Sequence, residues 1–146
     1  MAKTIFVLNG PNLNRLGKRE PEIYGTQTLD DIADMILARA EELGFTADIR
    51  QSNHEGHLID WLHEAEDSGT AAVIINPGGY SHTSVALHDA VKSIQTPVIE
   101  VHLSDPDTRE SFRHTDFVAM AATHVIKGEG ARGYLSALDV AARLCK

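Results

Sequence analysis

The chain has 146 residues, 42% hydrophobic and 23% charged, which is one domain's worth of sequence with apolar content for one proper core. Thirteen lysines and arginines against 21 acids give a net charge of −8, which argues against nucleic acid or an anionic membrane surface as partner. No apolar run approaches a membrane span of ~18 residues. Met1-Ala2-Lys3 leads straight into a strand pattern without a signal-type cleavage site, and the lone Cys145 has no intrachain partner, so a reducing cytoplasm is the expected compartment.

Strand and helix patterns alternate over residues 1–146 with no repeat, linker or low-complexity tract, which predicts a single α/β domain with a parallel sheet. Ile5–Leu8 reads as a buried strand closed by Asn9-Gly10-Pro11. Thr28–Leu43 is an amphipathic helix. Its Leu29, Ile32, Ala33, Ile36, Ala40 and Leu43 recur at three- and four-residue steps, Thr28 and Asp31 form a capping-box pattern, and Gly44 stops it. A second strand covers Ala47–Arg50. Ser52 with Glu55 is expected to open the next helix, whose buried stripe is Leu58, Ile59, Leu62 and Ala65 and whose end is Gly69. Ala71–Ile75 is the third strand, Asn76-Pro77-Gly78-Gly79 a turn, and Thr83–Ile94 a helix. Val98–Leu103 is the fourth strand, Arg109–Arg113 a short helix, His124–Ile126 the fifth strand and Gly133–Leu144 the last helix.

Five such units predict a flavodoxin-like doubly wound five-stranded parallel sheet of strand order 2-1-3-4-5. Ligands of such folds bind beyond the carboxyl ends of the strands, beside the point where strand order reverses. Here those ends are Asn9–Asn14, Asn76–His82 and Glu100–Ser104, all rich in polar residues.

Several chemistries fail on residue type. Gly10–Arg19 is not a phosphate-binding P-loop: six residues separate its glycines, and Arg19 stands where a Mg²⁺-binding hydroxyl belongs. A phosphoacceptor domain needs acids after strands one and three, where Asn9 and Asn76 stand instead. His54, His57 and His63 form no i,i+4 pair, and His82 and His88 are six apart, so no metal site is expected. A nucleophile elbow around Ser81 or Ser84 is missing too.

Two segments carry positive signals. The polar stretch Leu13–Gly25 places Arg15, Lys18 and Arg19 close to Tyr24 between Gly17 and Gly25. It is either a solvated surface loop or a functional lid. A free phenol ionises near pH ~10, and a guanidinium beside it favours the phenolate, which suits a general base. On the fourth strand, Glu100 and His102 are two apart and share one face. A carboxyl beside an imidazole fixes its tautomer and favours its protonated form. The pair is therefore either a proton donor or a structural hydrogen bond.

At these residues the chain resembles the type II 3-dehydroquinate dehydratase family. The likeness runs through Asn9–Gly25 (NGPNLNRLGKREPEIYG), Asn76–Ser84 (NPGGYSHTS), Ile99–Ser104 (IEVHLS), Arg109-x-x-x-Arg113 and Gly133-Tyr134, over essentially the whole chain. The resemblance implies reversible dehydration of 3-dehydroquinate to 3-dehydroshikimate, a shikimate-pathway step toward aromatic amino acids. The route is an enolate, with no cofactor, metal or Schiff base. It implies Tyr24 as base with Arg19 beside it, His102 as proton donor oriented by Glu100, and Asn12 near the enolate. Asn76, His82, Leu103, Ser104 and Arg113 would bind substrate, Arg109 would sit by Tyr24, and Asp89 would reach a neighbouring subunit's site. It further implies trimers assembled into a dodecamer.

Departures from the family pattern fall at Asp105-Pro106-Asp107, at Lys127, and at His114-Thr115-Asp116-Phe117, where a Ser-Tyr-like pair is usual. None matches a position with a chemical role, so they are expected to affect loop conformation and subunit packing rather than activity. Two other readings stand beside this one. One is a catalytically inert module binding a small anion. The other is a Schiff-base dehydratase, for which Lys127 alone of Lys3, Lys18, Lys92, Lys127 and Lys146 lies near a strand end. The cluster Arg15, Lys18, Arg19, Arg109 and Arg113 is expected to handle one small carboxylate on an otherwise acidic protein.

Overall fold

The alternation of apolar strand residues with amphipathic helices leaves one economical solution, a parallel sheet covered on both faces. The computed structural model describes residues 2–145 and has that architecture. Strands β1 (Lys3–Asn9), β2 (Phe45–Gln51), β3 (Ala72–Asn76), β4 (Val98–His102) and β5 (His124–Lys127) pair in parallel in the order β2-β1-β3-β4-β5. After a one-turn helix α1 (Pro21–Tyr24), helices α2 (Leu29–Leu43) and α5 (Arg132–Leu144) cover one face, with α3 (Glu55–Asp67) and α4 (Val85–Ser93) on the other.

The strand alternation sorts the core. Ile5, Val7, Ile74, Ile99 and Val101 point toward α2 and α5, while Phe6, Leu8, Val73, Ile75 and Val98 pack on Leu58, Leu62, Leu87 and Val91 of α3 and α4. Glu100 continues the second set, so the fold carries a carboxyl where an apolar residue would otherwise sit.

Thr28 caps α2 as expected: its hydroxyl accepts from the Asp31 N–H and Asp31 reaches back to the Thr28 N–H, a complete capping box. Two local expectations are corrected. Glu55 is the first residue of α3 and its carboxylate bonds the hydroxyl of Ser84, the N-cap of α4, so the pair Ser52–Glu55 makes no capping box. Ser52 instead accepts from the His54 N–H and pairs with His57 Nδ1. The expected Arg109–Arg113 helix is reduced to a 3₁₀ turn, Ser111–Arg113, and a second 3₁₀ turn, Pro106–Thr108, precedes it. Asp105 caps the first turn and Pro106 starts it. Arg109 then extends between the turns, which frees its side chain to enter the cleft below.

Between β1 and β3 the strand order reverses, and the connections leaving them are locked together. Gly10 N–H donates to Asn76 O at 2.8 Å, and Asn9 faces Asn76 in register. Beyond the carboxyl ends of β1, β3 and β4 this opens a polar cleft.

Candidate active site

The cleft encloses about 150 Å³ and is lined by Asn12, Arg19, Tyr24, Asn76, His82, His102, Leu103, Ser104, Arg109 and Arg113. Ten expected site residues therefore meet in one place, drawn from four separate stretches of chain. Glu100 lies beneath, fully buried, in contact with His102. Asp89 stands apart, on the exposed side of α4, where it pairs with His88. Arg15 and Lys18 are exposed and outside the cleft, so the cationic cluster is corrected to Arg19, Arg109 and Arg113. Arg15 lies between Leu13 and Leu16, which are buried in the core and turn the intervening side chains outward.

On one wall, Arg19 Nη2 donates to the Tyr24 hydroxyl at 3.0 Å and its guanidinium lies 4.1 Å from the ring centre. Arg109 approaches the same ring at 5.1 Å and donates to Ser104 Oγ at 3.1 Å. The phenol is thus clasped between two guanidiniums. Asn12 adopts the left-handed conformation (φ 69°) and donates its N–H to Asn53 Oδ1, which turns the loop toward this wall.

In the same cleft, His102 Nε2 contacts Glu100 directly. Burial lifts Glu100 to about 8, against the opposing pull of His102. Burial alone would depress His102, but hydrogen bonds to Asp116 and Glu100 outweigh it and lift the imidazole to about 9. His82 is the second imidazole of the site, its ring centroid 6.4 Å from that of His102. Its Nδ1–H donates to Thr115 O at 2.7 Å, which leaves Nε2 as the acceptor.

The floor is a buried amide network that the sequence patterns do not reveal. Asn76 Nδ2 donates to the Tyr134 hydroxyl at 3.0 Å, Tyr134 donates to Asn9 Oδ1 at 2.6 Å, and Asn76 Oδ1 accepts from the Gly78 N–H at 3.2 Å. Burial raises Tyr134 and keeps it a neutral phenol, a structural hydroxyl. Tyr134 is far from Asn9 in sequence, and no local pattern joins them.

Asp116 corrects a further expectation. Its Oδ2 lies 3.1 Å from His102 Nε2, so this departure from the family pattern touches the site. Glu100, His102 and Asp116 also bring three potential metal-ligand atoms within 4.8 Å. The imidazole nitrogen among them is already engaged by both carboxyl groups. Lys127 is ion-paired with Asp107, and none of the described lysines lines the cleft.

A larger cavity, about 840 Å³, opens at the amino ends of the strands beside Lys3, Arg50, Glu64 and Cys145. Its guanidinium, Arg50, is already bonded to Asp48 and Glu64, and its Lys3 ammonium donates to the Cys145 carbonyl. The chemistry lies in the smaller cleft.

Ionisable pairs gathered in a cleft at the switch point of a doubly wound α/β domain are the arrangement that an acid–base enzyme requires. The model of the family Dehydroquinase class II matches residues 3–142. A 3-dehydroquinate dehydratase of Sinorhizobium medicae is 58% identical over 138 residues, 94% of this chain and 93% of that protein. One from Phenylobacterium zucineum is 55% identical over the full length of both. The crystal structure of the type II dehydroquinase from Propionibacterium acnes superposes with a TM-score of 0.94 at 45% identity, covering 98% of each chain. The chain belongs to the class II dehydroquinase family.

Proposed function

We propose that residues 1–146 form one catalytic domain that interconverts 3-dehydroquinate and 3-dehydroshikimate by loss and addition of water. The observation that carries this reading is that Arg19–Tyr24 and the Glu100-backed His102 meet at one small cleft, since an elimination needs a base and an acid at one small molecule.

Tyr24 takes the proton α to the substrate ketone, and the Arg19 hydrogen bond stabilises the phenolate oxygen that does so. The electrons move into the ketone to form an enolate, whose oxygen Asn12 helps to hold through donors around it. His102, oriented by Glu100, gives a proton to the departing hydroxyl, which leaves as water. Asn76, His82 and the Leu103–Ser104 segment grip ring hydroxyls and carboxylate. Arg113 binds the anionic end, and Arg109 steadies Tyr24. The substrate's own carbonyl accepts the charge, so the route uses no cofactor, metal or Schiff base.

Asp89 acts at the site of an adjacent subunit in an assembly of trimers forming a dodecamer. Its exposure on α4, away from its own cleft, supports that placement. The lone free cysteine fits a cytoplasmic enzyme. No helix among the described residues is long and apolar enough to cross a membrane. The decisive experiment is an ultraviolet assay for the conjugated enone product with purified protein and 3-dehydroquinate. Turnover without borohydride-trappable adduct is expected; binding without product would make the chain an inert anion-binding module.

A further inference from the structure

A Glu100–His102 pair would by itself orient an imidazole, yet a third group meets the same nitrogen. Asp116, between the Ser111–Arg113 turn and β5, brings Oδ2 to 3.1 Å from His102 Nε2, and its Oδ1 accepts from the Ala119 N–H at 2.9 Å. The carboxylate is therefore fixed by its own backbone turn and aimed at the ring. Two carboxyls at one ring nitrogen are both satisfied only when that nitrogen carries a hydrogen. With Nε2–H tied down, the second proton of an imidazolium resides on Nδ1.

Resting on His102 as the proton donor of the reading above, we propose that Asp116 is a positioning residue. With Glu100 it holds the Nε2–H of His102, so that the proton passed to the departing hydroxyl comes from Nδ1.

The two carboxyls are not equivalent. Burial disfavours the charged form of Glu100, so it is the weaker counter-ion of the two. Burial would also lift Asp116, but its bonds to His102, Glu100 and the Ala119 N–H draw it down to about 2, and it supplies the negative charge. The other groups around the imidazole do not replace it. His82 stacks beside the ring, and Arg19, Arg109, Arg113 and Tyr24 line the same cleft; the arginines oppose an imidazolium. Asp107 and Lys127, within electrostatic reach of Asp116, neutralise each other as an ion pair.

The test follows His102 by NMR in the full-length protein labelled at histidine, assigned with His102→Asn, and measures kcat against pH in parallel. In Asp116→Ser and Asp116→Asn the His102 titration is expected to fall by about 1–3 pH units. The alkaline limb of kcat should move by the same amount, with KM little changed at pH 6, and Asp116→Glu should restore part of the shift. A titration and alkaline limb that coincide with the unaltered enzyme overturn the role of Asp116. So does a lower melting temperature without movement of the limb, the mark of a merely structural residue. Full turnover in His102→Asn overturns the proton-donor reading itself, and with it the positioning role.

Discussion

Gly10 and Pro77 are packed so closely that a Cβ on Gly10 would stand 2.7 Å from the Pro77 carbonyl oxygen. The contact is backbone against backbone, so no side chain can swing aside. Gly78, from the same pair of loops, has φ +58° and would place a Cβ 3.1 Å from Pro11 O. These approaches bring Asn12 to the same cleft as Asn76 and His82. Gly10→Ala should cost about 1–3 kcal/mol from overpacking and lower kcat by displacing Asn12, read by urea unfolding and steady-state kinetics. Unchanged stability would show that the two loops separate freely.

Tyr24→Phe keeps the ring between Arg19 and Arg109 and removes only the oxygen. Turnover should fall by roughly 10²–10⁴-fold, the ordinary contribution of a general base, while a substrate-like ligand still binds. Full kcat in this variant would remove Tyr24 from proton abstraction. Arg19→Lys keeps the charge but not the planar fork. Loss of a charge-assisted hydrogen bond worth about 1.5–3 kcal/mol predicts a fall of about ten- to a hundredfold.

Tyr134→Phe tests the floor. The substitution leaves Asn9 Oδ1 and Asn76 Nδ2 without their buried partner. It should cost about 1–3 kcal/mol and lower Tm by several degrees, with a further rise in KM as the Asn76 amide reorients. A variant as stable as the parent would mean that water or a side chain replaces the hydroxyl.

Stability should decline with rising pH from the mildly acid range up to about pH 9. Glu100 titrates near 8 in the fold and near ~4.3 when unfolded. The stability of its protonated form is complete below the lower value and lost as pH rises through the upper one. His102, lifted to about 9 from ~6.5, acts the same way over a higher range. Asp116, at about 2 against ~3.9 unfolded, contributes above that range and loses its share as pH falls through 2. Urea midpoints should drop between pH 6 and 9, less steeply in Glu100→Gln. Identical slopes would mean that Glu100 does not titrate there.

The loop bearing Arg19 and Tyr24 should close over substrate. Leu13 and Leu16 anchor its start in the core, whereas Gly17 and Gly25 have φ near +85° and bracket an exposed stretch. Limited trypsin cleavage after Lys18 and Arg19 should be slowed by a bound substrate analogue. Equal rates with and without it would argue for a fixed loop.

The sequence alone determined the elements and their sides. Apolar periodicity marked the strands and helices, the Thr28–Asp31 cap was legible four residues at a time, and the two-residue spacing put Glu100 and His102 on one face, because all of these are local regularities of the chain. Family resemblance placed Tyr24, Arg19 and the substrate-binding residues in one expected site. What the tertiary structure decided was which side chains meet: Arg15 and Lys18 outside the cleft, Tyr134 bridging Asn9 and Asn76, Asp116 against His102. Such contacts join residues up to 125 positions apart. Their geometry is set by how helices and loops pack on the sheet, and no period in the sequence encodes it.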